Sequence, residues 1–118
     1  MRVVRFYRAA AGHCPVEKFL DSLAGKQAQK VVWVLRLVEE LASVPAQYLK
    51  KLGGTEGLWE VRAQYAGDTF RLIGFFESPE ALVLTHGFTK KSQKIPSREL
   101  EVAETRRREH LKRRSRDE

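Results

Sequence analysis

Apolar and polar residues alternate with period two from Leu58 to Gln64, which turns Trp59, Val61 and Ala63 to one face of a strand and Glu60, Arg62 and Gln64 to the other. Ala66, Gly67 and Asp68 supply turn chemistry, and Phe70 to Phe76 reads as the return strand of a hairpin. With Ala66 and Gly67 as the loop, Val61 falls opposite Leu72, Ala63 opposite Phe70, and Arg62 opposite Arg71. Ser78 and Pro79 break the chain. Ala81 to Phe88 is then rich enough in β-favouring residues to be a central strand, completing a three-stranded meander. Its alternation groups His86 with Leu82, Leu84 and Phe88, facing inward.

Upstream, Arg2 to Tyr7 predicts a first strand that edges the meander. Pro15 suits the first turn of a helix carrying Val16, Phe19, Leu20 and Leu23 at helical spacing until Gly25 stops it. A second helix begins near Lys26, lines up Val31, Val34, Leu35, Val38 and Leu41, and ends before Pro45. Trp33, between Val32 and Val34, is expected in the core. Lys50 and Lys51, ahead of the Gly53-Gly54 turn, belong either to a ligand-touching loop or to a solvated one. Ser97 is the expected N-cap of a last helix, with Glu99 and Glu101 complementing its dipole. Leu100, Ala103 and Leu111 give that helix a thin apolar stripe, so a flexible basic tail is expected over about 112–118. These elements predict one α+β domain over 1–118: a small antiparallel sheet of about four strands, a helix pair on one face, and a C-terminal helix.

Charge narrows the class of partner. The formal net charge of +7 calls for an acidic one. No apolar run is long enough to span a bilayer and no secretory signal opens the chain, so a cytoplasmic protein is expected. The one cysteine, Cys14, rules out an internal disulfide, and with His13 it falls short of a metal site. Gly-rich phosphate loops, metal-spaced His and Cys clusters and hydrolase motifs are all missing, so the reading invokes no cofactor and no metal. A cationic site remains. Lys90, Lys91 and Lys94 follow the third strand, with no acid between His86 and Arg98. The opposed Arg62 and Arg71 repel each other by up to roughly 1 kcal/mol unless an anion, or a salt bridge to Glu60, lies between them.

The runs Leu58-Trp59-Glu60-Val61-Arg62, Phe70-Arg71 and Leu84 to Pro96, with its Phe-x-Lys-Lys-x-x-Lys-x-Pro signature, resemble the RelE/HigB toxins, and more narrowly their phage-derived HigB-like branch. The resemblance implies a RelE-like fold and the toxin of a type II toxin-antitoxin system. It also implies metal-independent, ribosome-dependent cleavage of messenger RNA that leaves a 2′,3′-cyclic phosphate and inhibits translation. The implied partners are the ribosome, its messenger and a cognate antitoxin, a helix-turn-helix protein. In that reading Arg62 and Arg71 clamp the scissile phosphate, and Lys90, Lys91 and Lys94 add charge or help to move protons. Arg98, Arg113 and Arg114 are the further candidates for RNA contact, the alternative being that the basic tail is only a solvated arm. His86 is either the acid-base group, since it titrates near neutral pH, or a structural residue on the inward face.

The chain departs from some ribosome-dependent relatives in having no aromatic residue after Phe88, so base stacking comes from elsewhere or is absent. Two other function classes stand beside the nuclease: a non-cleaving inhibitor such as a ParE-like gyrase poison, and a basic RNA-binding module without activity. Only a cutter needs cations that converge on the sheet.

Overall fold

The structure, a computed structural model, describes residues 1–117. Its elements run β1 (Val3–Phe6), α1 (Pro15–Asp21), α2 (Gly25–Glu40), β2 (Leu49–Lys51), β3 (Leu58–Tyr65), β4 (Asp68–Ser78), β5 (Ala81–Thr89) and α3 (Ser97–Asp117). The α+β class holds, with one refinement: the sheet has five strands, ordered β1-β5-β4-β3-β2, and is mixed. β1 pairs parallel with β5, as the long intervening chain of two helices and three strands permits. The additional strand, β2, is three residues long, too short for a period to show in sequence.

The hairpin register is the expected one: Val61 faces Leu72, Arg62 faces Arg71, Ala63 faces Phe70, and Tyr65 faces Asp68 across the loop. Ala66 (φ 49°) and Gly67 (φ 88°) both adopt the left-handed conformation that a two-residue hairpin turn matching the strand twist demands. The sheet separates two apolar layers. Val61, Ala63, Phe70, Leu72, Leu82 and Leu84 pack with Val16, Val31, Val34, Leu35 and Val38 of the helix pair. Leu58, Ile73, Phe75 and Val83 pack with Tyr7 and with Ala103 of α3.

A β-bulge corrects the expected placement of His86. Ile73 pairs with His86 but Gly74 pairs with Leu84, so Thr85 is an extra residue in β5. One inserted residue reverses the facing of everything after it. His86 and Phe88 therefore lie on the α3 face, away from Leu82 and Leu84. Two glycines allow the close approaches nearby. A Cβ on Gly74 would sit 2.3 Å from the Val83 carbonyl oxygen, and one on Gly87 would sit 2.5 Å from the Phe19 ring. Gly87 of the signature thus makes room for a helix-pair aromatic.

Trp33 is also displaced from its expected position. It is 46% exposed, edge-on to Tyr48 and covered by Lys30 Nζ at 4.2 Å from the ring centroid. Val31, Val34, Leu35 and Val38 already fill the buried side of α2, which turns Trp33 outward.

α3 is helical through Asp117, which takes in most of the expected 112–118 segment; position 118 lies outside the described residues. Its apolar stripe is thin, as Leu111 stays 39% exposed, and its cations do the docking instead. Arg106 and Arg113 lie over Tyr7, Arg107 over Phe75, and the His110 ring packs against Phe75. The buried Glu77 carboxylate receives His110 Nε2 at 2.8 Å and Arg114 Nη1 at 2.9 Å. Burial pushes the Glu77 carboxyl up, but the His110 hydrogen bond and the Arg114 charge outweigh it and hold the group below its ordinary range.

Truncation after Leu111 therefore destabilises the protein. It removes the Arg113 cation-π contact and one partner of Glu77, both partly screened by solvent, for a loss of about 1–2 kcal/mol. A thermal melt of the truncated chain should fall by about 4–8 °C, and an unchanged midpoint would show that the basic end is not part of the fold.

Candidate functional site

β2, β3 and β4 and the loop that leads into α3 surround an open cleft of about 320 Å³ on the α3 face of the sheet. Lys50, Glu60, Arg62, Arg71, Gln93 and Lys94 line it, with Leu52, Ile95 and Leu100 as apolar wall. Strand parity explains the grouping. Glu60 and Arg62 alternate with the buried Val61 and Ala63, Arg71 alternates with Phe70 and Leu72, and Lys50 occupies the register position opposite Glu60. Four cations and one carboxylate thus face one cavity.

Glu60 holds the two opposed arginines together. Its Oε2 lies 2.9 Å from Arg71 Nε and its Oε1 lies 3.7 Å from Arg62 Nε. The salt bridge to Glu60 that the sequence offered is formed. Glu60 and Arg71 are 3% and 4% exposed, whereas the Arg62 side chain keeps 26% of its surface open. The 2.9 Å contact is an ion pair without hydrogen-bond alignment, for Glu60 Oε2 and both arginine Nε atoms are buried and without a hydrogen-bond partner. Arg71 Nη2 instead donates to the Gln93 carbonyl at 3.0 Å, which fixes the loop that carries Lys94.

The other candidates are dispersed. Lys90 and Lys91 line a neighbouring hollow with Asp68, Thr69 and Ser92, and Gln93 is the wall between it and the cleft. Lys90 Nζ donates to Gln93 Oε1 at 3.0 Å. Arg98 is exposed in the first turn of α3. Arg113 and Arg114 lie about four turns along the same helix, engaged with Tyr7, Arg8, Glu77 and Glu109, and they do not line the cleft.

His86 lies beneath the start of α3, 7% exposed and stacked on Phe88. Its Nδ1 is 2.9 Å from Thr85 Oγ1 and its Nε2 is 3.5 Å from Glu99 Oε1. Burial first, and then the nearby Arg106 charge, lower its pKa to about 4, so the ring is neutral at physiological pH. Its Nε2 faces Glu99 rather than the cleft, whose lining it does not join, and its lowered basicity does not suit proton transfer there.

Lys50 carries no face assignment in the sequence because a three-residue strand has no period, and Glu60 reads there only as a salt-bridge partner. The alternation of β3 was the signal that placed Glu60 beside Arg62.

A family profile described as Phage derived protein Gp49-like matches residues 18–108, more than three quarters of the chain. The chain belongs to the phage-derived Gp49-like family. Gp49-like proteins are of the RelE/HigB toxin type and are associated with toxin-antitoxin systems, so the family implies an antitoxin partner. The Gp49-like match spans every residue of the cleft and ends before Arg113 and Arg114. No curated protein matches the chain to a significant degree. No helix among the described residues is long and apolar enough to cross a membrane.

The His86 environment makes stability pH-dependent. The unfolded histidine takes up a proton near its ordinary 6.5 and the folded one only near 4, so this contribution is complete above pH 6.5 and is lost as pH falls towards 4. Urea titrations at pH 7 and pH 4.5 should differ by about 2 kcal/mol from this group. The lowered Glu77 carboxyl adds a loss in the same direction below its ordinary 4.5. In His86→Gln the difference between the two pH values should shrink markedly; an unaltered difference would place the proton uptake elsewhere.

Proposed function

We propose that this protein is the toxin of a type II toxin-antitoxin pair and that it cuts messenger RNA on the ribosome, without a metal, leaving a 2′,3′-cyclic phosphate and a 5′-hydroxyl. The supporting observation is the convergence of Lys50, Arg62, Arg71 and Lys94 on one open cleft. RNA carries its own nucleophile, the 2′-hydroxyl, so the protein's main task is to stabilise the charge that grows on the phosphorane. Guanidinium and ammonium groups fixed in advance do this without reorganising during the reaction.

Roles follow from exposure. Arg62, partly open and weakly held at 3.7 Å, grips the scissile phosphate. Arg71 is buried against Glu60 and the Gln93 carbonyl, and it sets the floor and the loop rather than reaching out. Lys50 and Lys94 add positive field in the cleft, and Lys90 and Lys91 in the next hollow hold an adjacent phosphate of the strand. A gyrase poison would have no use for cations gathered on the sheet in this way. The antitoxin, in this reading a helix-turn-helix protein, acts by denying the cleft to the messenger.

The two arginines should separate on mutation. Arg62→Ala should cut messenger on translating ribosomes about a hundred- to a thousandfold more slowly with its melting temperature preserved, because it loses a contact that strengthens in the transition state. Arg71→Ala should instead lose about 3–5 kcal/mol of stability, since it leaves Glu60 buried with a weaker partner. Cleavage measured beside thermal melting reads both. A folded Arg62→Ala protein that cuts at the wild-type rate would remove the phosphate grip from the mechanism.

A further inference from the structure

Cleavage of RNA through its own 2′-hydroxyl needs a group that accepts the hydroxyl's proton, and the residues lining the cleft leave a narrow choice. The ammonium groups of Lys50 and Lys94 and the guanidinium groups of Arg62 and Arg71 are donors without an acceptor position. Thr55 and Gln93 carry neutral polar groups that do not take up a proton at neutral pH. His86 is buried on the far side of Ile73 in the same cross-strand row, with its Nε2 turned to Glu99 of α3. Glu60 is the one carboxylate in the cleft wall.

We propose that Glu60 is the general base of the reaction, a role that rests on the nuclease reading above. Its side chain is 4% exposed yet lines the cavity, so it meets the cleft at the floor, where a bound strand would cover it. Its Oε2 is buried against Arg71, so the proton is taken at Oε1, the oxygen held only by Arg62 at 3.7 Å. The charged groups around it are Arg62 on its own strand, Arg71 on β4, Lys50 on β2 and Lys94 on the loop before α3. Arg71 is fixed by the Gln93 carbonyl and stays with the carboxylate. Arg62 is the looser and more exposed of the pair, so an arriving phosphate draws it away and leaves Glu60 with one close arginine in place of two.

The step balances within the cleft. The 2′-hydroxyl proton passes to the Glu60 carboxylate, the freed oxygen pair forms the bond to phosphorus, and the bond from phosphorus to the 5′-oxygen breaks. The 5′-oxygen leaves with a proton from the Lys94 ammonium, and solvent returns the Glu60 proton to Lys94. The products are the 2′,3′-cyclic phosphate and the 5′-hydroxyl.

The test is single-turnover cleavage of messenger on programmed ribosomes across a range of pH, with RNA affinity and thermal melting measured on the same preparations. Glu60→Gln should cut at least a hundredfold more slowly, bind RNA at least as tightly as wild type, and lose the fall in rate that wild type shows towards acid pH. A folded Glu60→Gln protein that cuts within a few fold of wild type with that fall intact overturns the assignment. If removing the charge unfolds the protein, Glu60→Asp decides, for it keeps the Arg71 pairing but withdraws the carboxylate by one methylene. It should retain RNA binding and lose most of the rate, and a wild-type rate again overturns the proposal. A wild-type protein that cuts no messenger refutes the nuclease reading itself, a result distinct from either variant failing.

Discussion

Two arginines set directly opposite each other on neighbouring strands repel, and here Glu60 offsets that repulsion from within the same hairpin by pairing with both. The pairing is buried, so its net contribution to stability is small compared with what breaking one partner would cost. Its larger effect is on shape. Because Arg71 spends its outer nitrogen on the Gln93 carbonyl, the carboxylate that neutralises the hairpin also determines where the lysine loop sits. The alternating β3 strand, the turn at Ala66 and Gly67 and the signature loop are thereby joined at one point.

Several charges outside the cleft are paired internally. Glu77 takes His110 and Arg114, Glu104 takes Arg107, Glu109 takes Arg113 and Glu17 takes Arg8. A helix with so little apolar surface would not dock by burial alone, and its arginines compensate by stacking their planar heads on Tyr7 and Phe75. The arginine-rich end that looks in sequence like a nucleic-acid arm is therefore committed largely to the protein's own surface. Of the cleft's four cations, Lys50 and Lys94 form no ion pair among the described residues.

The hairpin register was legible because strand alternation and a two-residue turn together leave a single solution, and each of its pairs is found in the sheet. The helix pair was legible from its spacing. What escaped was whatever depends on one residue or on the balance of a whole layer. Thr85 is one extra residue, and no propensity marks it, yet it reverses the facing of His86 and converts an apparent helix-pair residue into one beneath α3. β2 is too short for its period to show, so Lys50 had no assigned face. Trp33 was placed by its apolar neighbours, but the four residues that fill the inner side of α2 leave no room for an indole. The docking of α3 through cations was hidden because the sequence offers cations to solvent and to aromatic faces alike.

If the cleft binds phosphate as proposed, Glu60 and the phosphate compete for the same arginines. A carboxylate 3.7 Å from Arg62 holds it loosely, whereas the 2.9 Å contact to Arg71 is short and shielded from water. Attraction between charges rises steeply as they lose solvent, so the shielded pair resists an incoming anion and the open one yields to it. The cleft is therefore asymmetric: one arginine belongs to the fold and the other is available to a ligand. An evenly shared carboxylate would have left either both arginines locked or a buried charge unpaired. In the proposed reading, the unequal distances keep Arg71 with the fold and leave Arg62 as the arginine that a phosphate can draw away from Glu60.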